Sequence, residues 1–161
     1  MSKIAPLVSA GFGVLLGAIP VADAADFAKP RIAGPGEATY VRRTMVLAQR
    51  GDAHAQAILG YMYENGRGVP QSYDVAVDWY GQSAAQGDPT GQYLLGLMYD
   101  KGFGVIPNVV LAYKWINLGA AHAPRPLREN VLRLRDAVAS KMTRAQLDLA
   151  QQLAVDFVPF R

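Results

Sequence analysis

The feature that most constrains this chain is a self-similarity with an offset of roughly 36 residues, seen when residues 51–86 are laid over residues 87–122. The matches fall at positions with structural meaning. Gly51/Gly87, Asp52/Asp88, Gln56/Gln92, Leu59/Leu95, Gly60/Gly96, Met62/Met98 and Tyr63/Tyr99 recur in the first half of each unit. Gly66/Gly102, Gly68/Gly104, Val69/Val105, Ala76/Ala112, Trp79/Trp115, Ala84/Ala120 and Ala85/Ala121 recur in the second. A period of this length means that one supersecondary unit is stacked on another.

Each unit reads as two short helices joined by a glycine turn. Asp52 and Asp88 stand where an N-cap carboxylate accepts from the first free amides of helix A, and Gly51 and Gly87 end the helix before. Helix A is expected to run to about Asn65 in one unit and Lys101 in the other. Gly66 and Gly102 then take the left-handed position, and Gly68 and Gly104 allow a second sharp turn. Ser72 and Asn108 share a repeat position and cap helix B. Gly60 and Gly96 let helix B approach helix A closely, and Trp79 and Trp115 are read as core residues filling the space between units. Helices of about a dozen residues are marginal in water, so the units must stack to bury their apolar faces.

The ends of the array are also marked. Residues 37–50 align with a helix B, because Ala48 matches Ala84, and form a half-unit covering the N-terminal face. At the other end Ala123 replaces the expected glycine, and Pro124 and Pro126 stop the pattern. Two further helices follow within 123–161: Leu127, Val131, Leu134 and Val138 make one stripe, and Leu147, Ala150, Ala154 and Phe157 another. Thr143 with Gln146 is a capping-box pair that starts the last helix.

The Leu-Gly-x-Met-Tyr, Gly-x-Gly-Val and Trp…Ala-Ala elements between Gly51 and Ala123 resemble the Sel-one-like repeat (SLR) family, a relative of the tetratricopeptide repeat. The resemblance covers roughly half of the chain that follows residue 24. It implies an all-α, α/α superhelical solenoid of helix-turn-helix repeats with helical caps. For a bacterial member it implies an adaptor, scaffold or regulator in the envelope that binds a protein or peptide in a shallow groove. Ile106 and Pro107 displace the proline that Pro70 places directly after Val69, and Asp88-Pro89 stiffens the second helix A, so local loop differences are expected.

Export is read from the N-terminus, where Lys3 precedes an apolar run from Ile4 to Ile19 and then Ala22-Asp23-Ala24, a small-x-small cleavage pattern. Residues 1–24 are therefore expected to be a signal peptide, and 25–36, rich in proline and glycine, a flexible segment before the fold. The alternative is a retained anchor, for which the run is short and interrupted by Gly11, Gly13 and Gly17. Cleavage leaves no membrane span and a periplasmic or secreted product. The net charge of +3 is too small to imply nucleic acid, and the absence of cysteine excludes disulfides, a thiol nucleophile and cysteine-ligated zinc.

No catalytic constellation is visible, so the chain is read as a non-enzyme without cofactor. Gly66-Arg67-Gly68 and Gly102-Phe103-Gly104 follow no predicted strand and read as turns. His54 and His122, the only histidines, lack metal-ligand spacing, so no metal site is expected. Repeated positions are framework, so recognition is sought where the units differ, on helix A. The groove candidates are His54, Tyr61 and Asn65 of the first unit and Tyr93, Leu97 and Lys101 of the second. Two rival readings remain: a carbohydrate-associated envelope protein using Tyr61, Tyr93 and the basic segment Arg125, Arg128, Arg133, Arg135, Lys141 and Arg144, and a hydrolase whose acids converge in one pocket. A groove of two units gives modest affinity for a protein or peptide partner unless a weak homodimer forms.

Overall fold

The computed structural model describes residues 36–159. The expected signal peptide (1–24) and nearly all of the segment 25–36 lie outside them. The described residues form seven α-helices and no strand: α1 Glu37–Gln49, α2 Ala53–Asn65, α3 Tyr73–Ala85, α4 Pro89–Lys101, α5 Val109–His122, α6 Arg125–Ala139 and α7 Arg144–Val155. Helices α2 and α3 are the first unit, α4 and α5 the second. Each packs on its successor from α1 to α6, and α7 packs back on α5.

The local chemistry explains where each helix starts and stops. Asp52 accepts from the Ala55 amide at 2.7 Å and Asp88 from the Gly91 amide at 2.8 Å. Ser72 and Asn108 cap α3 and α5 in the same way, and Thr143 and Gln146 complete the capping box of α7. Helices α2 and α4 end on Gly66 and Gly102 at φ +65° and +72°, where a side chain would be strained. The last helix stops at Val155, so Phe157 is not on its stripe: it lies on the tail and meets the Trp115 ring edge-on, with centroids 5.3 Å apart.

Within each unit the two helices touch at backbone level. A Cβ on Gly60 would stand 2.6 Å from Cδ1 of Tyr80, and one on Gly96 would stand 2.5 Å from Cγ1 of Ile116. Tyr80 and Ile116, both fully buried, therefore fill the space at these crossings. Trp79 and Trp115 do not hold the core: each sits one residue earlier on its helix, is half-buried, and packs on the margin of the apolar clusters. One residue, about 100° around the helix, separates the two positions on helix B, and the larger side chain is not the one turned inward.

A buried polar seam recurs between units. Gln56 donates to the Ala48 carbonyl at 3.1 Å, and Gln92 to the Ala84 carbonyl at 3.3 Å, tying each helix A to the end of the helix before it. In the first unit the amide oxygen of Gln56 accepts from Gln86 at 2.7 Å. In the second, His122 stands 36 residues after Gln86, but its ring faces the Leu118 carbonyl, and the Gln92 oxygen has no partner among the described residues.

Two stability predictions follow from these contacts. Gly96→Ala should destabilise the protein by roughly 1–3 kcal/mol through overpacking, whereas Gly81→Ala, whose Cβ meets nothing within 4 Å, should stabilise it by about 0.5–1 kcal/mol. Urea unfolding midpoints at constant slope check both, and equal midpoints for the two variants would remove the close approach. His122→Gln should copy the first unit's pairing and raise stability by about 1 kcal/mol; an unchanged midpoint would show that the Gln92 oxygen gains nothing from a donor there.

Candidate functional site

The six residues expected to line a groove do not share one environment. His54 and Asn65 are exposed on α2 and Tyr61 is half-buried between them, while Lys101 is exposed at the end of α4. The Asn65 amide donates to the Tyr61 carbonyl at 2.9 Å. Tyr93 and Leu97, at 2% and 5% exposure, belong to the core and are not open to a partner as expected. The reason is position: α4 is the central helix, held by α2, α3 and α5, and every residue from Gly91 to Met98 is buried.

Two residues absent from the sequence-based set give this face its chemistry. The half-buried Glu64 carboxylate accepts a 2.6 Å hydrogen bond from the Tyr80 hydroxyl. Burial pushes the Glu64 carboxyl above its usual range, and the Tyr80 bond and the charge of Lys101 pull it part of the way back. Burial and the neighbouring Glu64 likewise hold the Tyr80 hydroxyl well above its ordinary value, and Tyr93 is shifted upward for the same two causes. Tyr61 lies close enough to couple electrostatically to both. The result is a carboxylate set among three tyrosines at the C-terminal end of α2. Glu64 and Asp100 are 36 residues apart, so a repeated acid was the signal in the sequence that could have exposed it.

At the other end of α2, His54 Nδ1 stands 3.6 Å from Asp88 Oδ2, bridging the starts of the two A helices. Contact with the Asp88 carboxylate raises the His54 pKa, burial opposes the rise, and the charges of Asp88 and Asp52 add to it. An open and mainly apolar groove of about 870 Å³ lies elsewhere, between α3 and α5, lined by Val77, Gly81, Ala85, Leu95, Tyr99 and Trp115 among others.

Most of the basic segment is occupied internally. Lys141 binds both Asp100 oxygens at 2.8 and 2.9 Å, Arg135 binds Asp136, Arg133 binds Asn130, and Arg128 donates to the Ala121 carbonyl at 2.9 Å. Arg144 stands 3.6 Å from Asp148. Among the described residues no group of three or more His, Cys, Asp or Glu side chains comes together to hold a metal ion, and no helix is long and apolar enough to cross a membrane.

Comparison with known proteins agrees with this architecture. The family model described as Sel1 repeat matches residues 53–88 and 89–123. Proteins of this repeat fold are in general non-catalytic scaffolds for protein interaction. The chain is similar to a protective antigen present in uropathogenic Escherichia coli strains and displaying an SLR fold, with 27% identity and a TM-score of 0.70 over 78% of this chain and 27% of that one. It is also similar to a Sel1 repeat protein from Oxalobacter formigenes, with 30% identity and a TM-score of 0.54 over 60% of this chain and 28% of that one. The chain thus spans little more than a quarter of the length of either. No curated protein matches it.

The His54–Asp88 contact gives a pH dependence of defined sign. Because the folded pKa of His54 is raised, its contribution to stability is fully present below the ordinary value of 6.5 and is lost as pH rises through the folded value. Asp88→Asn keeps an oxygen to cap α4 but removes the charge. Titration of the His54 ring by NMR should give a value above 6.5 in the parent and a lower one in the variant; the same value in both would show that Asp88 does not hold the imidazolium.

Proposed function

We propose that this chain, which carries two Sel1 repeats, is an exported interaction module that holds a segment of a partner protein against the α2 and α4 end of its solenoid. The observation that carries this reading is the patch at the C-terminal end of α2, where Tyr61, Glu64 and Asn65 lie beside Lys101 of α4. These four residues occupy three repeat positions, of which two differ in type between units: Tyr61 against Leu97, and Asn65 against Lys101. They vary on a scaffold whose caps, turns and close contacts are duplicated. Framework is thus shared by the units, while this face is particular to each.

The chemistry of the patch suits a protein surface. Tyrosine presents a large apolar ring with a polar tip and loses little conformational freedom on binding, which places it among the residues that dominate interfaces. The fold class supports the same reading, since Sel1 repeats generally mediate protein interaction. Export and an adaptor role in the bacterial envelope rest on the N-terminal pattern of Lys3 to Ala24 and on the resemblance to bacterial repeat proteins.

Position-resolved photo-cross-linking in the native envelope tests the proposal. A photoreactive residue at 61 or 65 should capture one recurring protein, and the same residue at 148 on α7 should not. Tyr61→Ala should reduce capture from position 65 by about tenfold, as expected for loss of an interface aromatic. Equal capture from all three positions, or capture unaffected by Tyr61→Ala, would refute this face as the binding surface.

A further inference from the structure

The last turn of helix A carries an acid in both units, Glu64 in the first and Asp100 in the second. The fold treats the two differently. In the second unit the position is a cation seat: the Lys141 ammonium, from the turn after α6, contacts both oxygens of Asp100. In the first unit the carboxylate is in place, with one oxygen held by Tyr80, but no cation touches it among the described residues. Lys101 acts on this carboxylate through its charge but forms no ion pair with it, and its ammonium lies by the Phe103 ring, 5.7 Å from the centroid.

From this asymmetry we infer that Glu64 is the seat for a basic side chain, lysine or arginine, contributed by the partner segment bound on this face. The proposal rests on the interaction-module reading above and adds the partner's chemistry to it. Charge complementarity carries it: a carboxylate that is half-buried and still has a free oxygen favours a cation that can donate a hydrogen bond. Burial makes such a contact stronger than an exposed ion pair, because the surroundings screen it less. Tyr61, half-buried one turn before Glu64 on the same helix, adds an aromatic ring of the kind that attracts an ammonium or guanidinium group. Tyr80 holds the carboxylate in one orientation, as Lys141 does not need to be held for Asp100, where the seat is filled from within the chain. The polar character of the neighbourhood also excludes an apolar anchor, which would leave the Glu64 oxygen buried without a partner.

The test uses the full chain and a pair of small probes, N-acetyl-lysine-N-methylamide and its uncharged analogue N-acetyl-norleucine-N-methylamide. Side-chain NMR should show the Glu64 carboxyl and Tyr61 ring signals moving to saturation with the lysine probe and not with the norleucine probe. Glu64→Gln, which keeps an acceptor for the Tyr80 hydroxyl, should weaken the lysine probe by about tenfold, the loss expected for one charge-assisted contact. Glu129→Gln, at an exposed site on α6, should leave it unchanged. Equal responses to both probes, no saturation, or undiminished binding by the Glu64→Gln protein would overturn the inference. Recovery of a cross-linked partner from position 61 alongside any of those results would leave the interaction module standing and remove only the cation seat.

Discussion

The structure depends on helix pairs that meet where one partner presents a glycine and no side chain of its own. At Gly60 and Gly96 the ring of Tyr80 and the side chain of Ile116 press directly on the opposing backbone. Gly91 and Gly119 do the same at two more crossings, where added Cβ atoms would run into Ser83 and into the Pro89 carbonyl. A helical glycine costs about 1 kcal/mol relative to alanine, so four of them weaken the isolated helices. The return comes only in the stacked form, where close approach buries the apolar faces that helices of this length need. Stability is therefore held between helices and units, as expected for a solenoid in which each repeat contacts its neighbours.

The same geometry forces the buried polar groups to be settled unit by unit. Ser83 is fully buried and donates to the Ala53 carbonyl at 2.7 Å, thirty residues away in the chain. Gln56 and Gln92 each reach back to the end of the preceding helix. Such bonds contribute little net energy when made and cost about 1–3 kcal/mol when left open, so they act chiefly to fix the register in which one unit sits on the next. A sliding error of one residue would leave every one of them unmet.

Local features of the fold were legible in the sequence, because a cap or a left-handed turn is decided by a few neighbouring residues. Asp52, Asp88, Ser72, Asn108 and Thr143 all cap as their types and positions imply, and Gly66 and Gly102 adopt positive φ. What failed were inferences about facing. Trp79 and Trp115 looked like the interior residues because of their size, yet the phase of helix B turns Tyr80 and Ile116 inward. Tyr93 and Leu97 looked like a free stripe because their counterparts in the first unit differ, yet α4 is enclosed on too many sides to keep one. Glu64 was missed for a third reason. Its behaviour is set by Tyr80, sixteen positions along the chain, and no local pattern links the two.

Duplication explains why the units diverge where they do. Two copies of one scaffold present equivalent positions, but each copy has different neighbours, so a group satisfied in one can be left open in the other. Gln86 serves Gln56, and nothing among the described residues serves the Gln92 oxygen; Lys141 contacts Asp100, and among the described residues no cation forms an ion pair with Glu64, on which Lys101 acts only through its charge. The two open positions differ in their surroundings. The Gln92 oxygen is sealed in the core, where it can only cost stability. The Glu64 carboxylate stands at the edge of a face bearing Tyr61 and Asn65, where a second molecule can reach it. Burial at the margin, enough to strengthen a charge contact and not enough to exclude a partner, is what turns an unmatched repeat position into a place for recognition.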